Sequence, residues 1–129
     1  MNNYVLDASA LLCLINAEPG AEKVHQILKH CSMSVVNVSE VIAKRIDFGD
    51  DAEQLIQDIA DLELVIIAMD FTQAALAGRM RAQTRRIGLS LGDRACLALA
   101  KTLGAIALTS DRAWLAIAAE VGVSIELVR

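Results

Sequence analysis

The sequence has 129 residues, 55% of them hydrophobic and 22% charged, which is enough to bury a substantial core and excludes a disordered chain. Its formal charge of −4 is unevenly spread, and its aromatic content of 3% requires an aliphatic core. Cys13, Cys31 and Cys96 are odd in number and lack a C-x-x-C spacing, which excludes a disulfide framework or zinc knuckle and fits a reducing cytosol.

The first segment, Tyr4-Val5-Leu6, reads as a strand, and Ala8 to Ala17 as an apolar helix. Glu18-Pro19-Gly20 is a turn signal, and Glu22 to His30 is amphipathic with Val24, Ile27 and Leu28 on one face. Ser34-Val35-Val36 reads as a brief strand, followed by a helix from about Ser39 to Asp47. From Asp50 to Glu63 there are six acids and no base, interleaved with Leu55, Ile56, Ile59 and Leu62, as in a helix with one solvated face. Leu64 to Ala68 reads as a buried strand, then a long helix spans about Thr72 to Arg86 with Gly88 as its stop. Asp93 to Leu103 is another helix, Ala105 to Leu108 a strand, Arg112 to Val121 a helix ended by Gly122, and Ser124 to Leu127 a last strand. Strand alternates with helix, so the expectation is a single domain over residues 1–129, an α/β three-layer α/β/α sandwich with a mainly parallel central sheet. Strictly apolar runs such as Leu64 to Met69 are too short to cross a membrane, and the N-terminus lacks the basic start and long apolar stretch expected of a secretory signal. A soluble cytoplasmic protein is expected.

Ligands of such sheets bind outside the carboxyl ends of the strands. Four acids fall there: Asp7 after the first strand, Glu40 within Asn37-Val38-Ser39-Glu40, Asp93 within Leu89-Ser90-Leu91-Gly92-Asp93, and Asp111 after Thr109-Ser110. Each has a plain explanation as a helix cap or first-turn acid, with Asn37 and Glu40, or Ser90 and Asp93, approximating a capping box. Asp93 nevertheless shares a stripe with Cys96, Leu97, Ala100 and Leu103, and no lysine or arginine adjoins Asp7 or Glu40 in sequence. Two carboxylates at ~5 Å repel by about 3 kcal/mol at an effective dielectric near 20, and several such pairs would rival a domain stability of roughly 5–15 kcal/mol. If the four converge, they must take up protons or bind a cation, and all-oxygen ligands select Mg²⁺ or Mn²⁺. Without them the chain has 12 acids against 12 bases, so the whole negative excess could reside in one pocket. A divalent ion in such a pocket lowers the pKa of bound water and orients it on a phosphodiester.

These segments resemble a known family. Val5-Leu6-Asp7-Ala8-Ser9-Ala10-Leu11-Leu12 is similar to the opening motif of PIN-domain ribonucleases, and Val38-Ser39-Glu40-Val41 to their second acidic motif. Leu91-Gly92-Asp93-Arg94-Ala95-Cys96-Leu97-Ala98-Leu99-Ala100 resembles the third and Leu108-Thr109-Ser110-Asp111-Arg112 the fourth. Motif order and chain length resemble the VapC-type toxins of bacterial toxin–antitoxin pairs. The resemblance implies an acidic catalytic site of Asp7, Glu40, Asp93 and Asp111, with Asp7 and Asp93 as direct metal ligands and Ser9 and Thr109 or Ser110 as supporting hydroxyls. It also implies endonucleolytic cleavage of RNA with Mg²⁺ or Mn²⁺, a homodimer, and inhibition by a cognate antitoxin protein. In one departure, Arg112 follows Asp111 where some members carry a further acid.

RNA must be held by its phosphates, so basic residues near the site are expected. Arg94 and Arg112 directly follow site acids and either touch substrate or tame the acids by local ion pairs. Arg81 and Arg85 read as a solvated face, while Arg79 and Arg86 line a groove or pair with the acidic helix. His25 and His30, five apart, share no helix face and are expected at the surface. Tyr4, Phe48, Phe71 and Trp114 are too few and scattered for a base-stacking platform. Leu11 to Ile15 suggests a self-association or antitoxin surface. Two alternatives compete with the nuclease. A receiver-like Mg-binding signalling domain would use Asp70 as phosphoacceptor but lacks the paired acid and late-strand lysine of that class; a catalytically silent PIN-like interaction module would not need all four acids. A haloacid-dehalogenase-like phosphatase would require Asp-x-Asp, which Asp7-Ala8-Ser9 does not supply.

Overall fold

A parallel sheet covered on both faces needs strands that are apolar on both sides, and the central strands here meet that requirement. The structure, a computed structural model, describes residues 3–129. Strands β1 (Tyr4–Leu6), β2 (Cys31–Ser34), β3 (Val65–Ile67), β4 (Ile106–Thr109) and β5 (Ile125–Leu127) form one sheet in the order β3-β2-β1-β4-β5, with every pair parallel. Leu6, Met33 and Leu108 lie side by side in register and join Ala10, Leu11, Val24 and Val41 on one face. One residue back, Val5 and Ala107 point the other way and join Leu97, Leu99, Trp114 and Ile117.

The first face is covered by α1 (Ala8–Ile15), α2 (Ala21–Ile27), α3 (Val35–Asp47) and α4 (Ala52–Ala60). The second is covered by α5 (Phe71–Arg79), α6 (Arg81–Thr84), α7 (Leu91–Leu103) and α8 (Ala118–Val121). The architecture is therefore the expected three-layer sandwich. Among the described residues no helix is long and apolar enough to cross a membrane.

Four local expectations need correction. The second strand ends at Ser34 rather than starting there: Ser34 caps α3, its hydroxyl accepting the Val36 N–H at 3.2 Å, so Val35 and Val36 open a helix despite their β-branched side chains. The strand expected to be buried is the sheet edge, and Val65 and Ile66 remain 43% and 39% exposed. The long helix ending near Arg86 is broken at buried Met80 into α5, α6 and a 3-10 turn over Arg85–Ile87. Thr84 Oγ1 donates to the Met80 carbonyl at 2.9 Å, a back-bond of the kind that bends helices. The helix expected over Arg112–Val121 is likewise divided, a 3-10 segment over Arg112–Ala116 preceding α8.

From β1 the chain steps outward through β2 and β3, then returns to the other side of β1 to build β4 and β5. The order thus reverses between β1 and β4, and the crevice at their carboxyl ends is where such a sheet takes a ligand. A receiver-type domain has the order 2-1-3-4-5 instead. That signalling alternative does not fit this sheet.

Candidate active site

Asp7 leaves β1 at this reversal and caps α1. Its Oδ1 accepts the Ala10 N–H at 2.8 Å and the Ser9 hydroxyl at 2.7 Å, while Oδ2 accepts the Thr109 hydroxyl at 2.6 Å. Thr109 is the last residue of β4. The Ser110 N–H donates to Ser9 Oγ at 2.9 Å and the Asp111 N–H to Thr109 Oγ1 at 3.1 Å, so a short hydroxyl lattice ties the ends of β1 and β4 together. Asp7 is 4% exposed. Burial pushes its carboxyl up to about 6; the bonds from Thr109, Ser9 and Ala10 pull it back, and the negative charge of Asp93 adds a little more upward.

Asp93 lies in the first turn of α7 and forms a complete capping box with Ser90, the Ser90 N–H donating to Oδ2 at 2.9 Å and the Asp93 N–H to Ser90 Oγ at 3.2 Å. The other suspected box does not form. Asn37 is buried inside α3, and its Nδ2 donates to Glu40 Oε1 and to the Gly92 carbonyl, both at 2.9 Å. Gly92 makes that approach possible, because a Cβ there would overlap the Glu40 carboxylate. The missing side chain lets Glu40 reach from α3 to the start of α7, beside Asp93. Asp111 caps the following 3-10 segment, its Oδ1 accepting the Ala113 N–H at 3.0 Å.

All four sequence-predicted acids, Asp7, Glu40, Asp93 and Asp111, line one hollow of about 270 Å³ together with Ser9 and Lys44. Lys44 escaped the sequence reading; its position one helical turn after Glu40 was the available signal. Asn37, expected only as a cap, aims Glu40 through the two bonds that its amide nitrogen donates, to the Glu40 carboxylate and the Gly92 carbonyl. Among the described residues the ion pairs are Lys23–Glu126, Arg45–Asp50, Arg86–Glu120 and Arg129–Glu18, and none involves the four acids. Arg94 instead donates to the Ala77 carbonyl of α5 at 3.0 Å and Arg112 is exposed, and neither lines the hollow. The local ion pairs expected of these two arginines are not made. Arg86 holds Glu120 rather than the acidic helix, while Arg81 and Arg85 are exposed as expected. His25 is exposed and His30 half-buried.

Beneath the acids, Cys96 is fully buried, its thiol aimed at the Val5 carbonyl at 3.9 Å. Burial first, then the charges of Asp7, Asp93 and Glu40, raise it well above the ordinary thiol range. Among the described residues no three His, Cys, Asp or Glu side chains already stand close enough to enclose an ion. The donor chemistry nevertheless fits a hard divalent cation: carboxylate and hydroxyl oxygens, one desolvated acid, and no arginine or lysine paired with any of them.

The PIN domain family model matches residues 4–120. The chain belongs to the PIN-domain family. Three solved structures show the same fold as this PIN domain at low identity. A DNA-bound VapBC from Salmonella typhimurium is 20% identical, with TM-score 0.75 and all of both chains covered. VapBC2 from Rickettsia felis, bound to a DNA fragment from its promoter, is 19% identical with TM-score 0.73, covering 96% of this chain and 97% of that one. FitAcB from Neisseria gonorrhoeae is 16% identical with TM-score 0.72, covering 95% of each chain. Comparison with the curated proteins gives no match.

Proposed function

We propose that this PIN-domain protein is a metal-dependent endoribonuclease and the toxin of a VapC-type toxin–antitoxin pair. One observation carries the reading: a buried carboxylate, Asp7, shares a hollow with Glu40, Asp93 and Asp111, and none of the four has an ion-pair partner among the described residues. Asp7 and Asp93 would hold Mg²⁺ or Mn²⁺ directly, with Glu40 and Asp111 orienting water. Such an ion supplies Lewis acidity, making bound water a nucleophile at neutral pH and offsetting charge on a phosphodiester. The chain's own groups do the positioning. Thr109 and Ser9 fix both oxygens of Asp7, and Asn37 holds one oxygen of Glu40 so that the other is free to accept a proton from water.

The antitoxin assignment draws on the fold shared with VapBC complexes and on an apolar groove between α1 and α4 lined by Leu14, Ile15, Leu55, Ile59 and Leu62. Leu14 and Ile15 belong to the segment singled out from sequence for this role. A homodimer is proposed with it, acting in the cytoplasm.

The opposing reading, a silent PIN-like interaction module, rests on the fact that Asp93 and Asp111 each cap their own helix. One assay decides between them. Wild-type protein with Mg²⁺ or Mn²⁺ should cleave RNA and stop when chelator is added, and Asp7→Asn and Asp93→Asn should lose activity by about 10²–10³-fold or more. Equal cleavage by all three proteins would dismiss the catalytic assignment.

A further inference from the structure

Beside the acidic hollow lies a second groove, of about 360 Å³, lined by Lys44, Phe48, Asn16, Ser110 and Arg129 among others. The two are continuous, sharing Ser9, Leu12 and Lys44. They differ in charge: four carboxylates and one lysine line the first, while in the second the one carboxylate, Glu18, is paired with Arg129 and leaves Lys44 as the uncompensated charge. A strand of polyanion whose scissile phosphate sits at the carboxylates would run along such a groove.

Two side chains give the groove its chemistry. Lys44 has no hydrogen-bond or ion-pair partner among the described residues, and it stands where the two hollows meet. Phe48 follows the last turn of α3 with 70% of its surface exposed, so its face is open to a ligand. The ring is nonetheless positioned. The Arg45 guanidinium lies 5.6 Å from its centroid, and Arg45 is itself pinned by Asp50 at 2.8 and 2.9 Å and by Asn16 Oδ1 at 2.8 Å. Arg129 is also fixed, donating to the Pro19 carbonyl at 2.9 Å and pairing with Glu18 at 3.9 Å, so it shapes the groove while Lys44 supplies the free charge.

We infer that this groove is a nucleotide subsite: Lys44 holds the phosphate next to the one cleaved, and the adjoining base of a single strand stacks on Phe48. The inference rests on the nuclease reading above and gives it a substrate form, an unpaired strand, because a base inside a duplex cannot offer its face to the ring. Nucleic acid fits better than a protein partner here. The groove combines an unpaired lysine with one aromatic face, whereas the apolar groove between α1 and α4 lacks any lysine or arginine. A lone ring serves one base, consistent with the absence of a larger stacking platform.

The test measures binding of a fluorescent single-stranded oligoribonucleotide in an Asp7→Asn background, across a salt series, beside cleavage by the otherwise wild-type protein. Phe48→Ala should weaken binding by about 5–100-fold, and should not weaken binding of a duplex of the same sequence. Lys44→Met should lower the slope of log affinity against log salt by about 0.7, and Lys44→Arg should restore it. Both side chains are exposed, so unchanged thermal midpoints will show that the fold is intact. RNA cleavage by wild type with affinity and salt slope unmoved by either substitution would overturn the subsite and leave the nuclease reading standing. Absence of cleavage and of binding in the parent protein would overturn both. Loss of antitoxin affinity, with RNA affinity intact, would give the groove to a protein partner and overturn the subsite.

Discussion

Asp7 and Asp70 perform the same local task at the centre and at one edge of the same sheet. Each follows a strand and caps the next helix with extended backbone, at φ −85°, ψ 178° and φ −86°, ψ 177°. Each accepts an amide N–H from three residues ahead at 2.8 Å. Their surroundings differ. β1 is central and stands at the reversal of strand order, whereas β3 is the edge, so Asp7 is buried among hydroxyls and other acids while Asp70 is exposed. The cap motif is therefore uninformative about chemistry. What turns one cap into a candidate site is its place in the topology, which decides whether the carboxylate is desolvated and which other charges it meets.

Substitution of both residues offers the sharpest break in that comparison. Asp7→Asn should reduce metal-dependent RNA cleavage by about 10²–10³-fold or more, and Asp70→Asn should leave it within about twofold; similar losses from both would reduce Asp7 to an ordinary cap. The next largest effect concerns pH. Asp7 is raised from 3.8 to about 6 in the folded protein, so between those values the native state binds more protons than the unfolded one. Stability in chelator should be greatest below about pH 4 and fall by about 3 kcal/mol as pH rises to about 6, superimposed on the trends of other groups. Urea unfolding at several pH values, with Asp7→Asn as the variant lacking this component, checks the sign. Gly92→Ala should displace the Glu40 carboxylate and lower cleavage about tenfold, with little change in thermal or urea unfolding, because the atoms it displaces are the free end of a flexible side chain. The smallest expected effect is Asp70→Ala, a loss of about 1 kcal/mol in stability with unchanged cleavage.

The acids were legible because strand ends and helix starts leave strong marks: apolar triplets followed at once by Asp, Asn or Ser. Their convergence followed from alternation of strand and helix, which fixes a parallel sheet and puts all strand ends on one side. Less local features stayed hidden. Val35 and Val36 favour a strand by propensity, yet pairing of β2 with both neighbours over Cys31–Ser34 settles the strand earlier and frees Ser34 to cap. The run Leu64–Met69 is apolar throughout, but whether a strand is central or at the edge depends on order in the sheet, which no stretch of six residues encodes. Asn37 and Lys44 belong to the site only through contacts with Gly92 and Ser9 neighbourhoods far along the chain, and their spacing on α3 alone cannot show it.

Cys96 is buried behind the acids without lining the hollow, and this bears on which ions the proposed site would refuse. A thiol serves soft metals only after losing its proton, and here an apolar enclosure reinforced by anionic neighbours keeps that proton in place. Sulfur is thereby withheld from any visiting ion, which meets oxygen alone. If the site holds an ion as proposed, part of its bias against zinc or copper would come from an atom that never touches the guest.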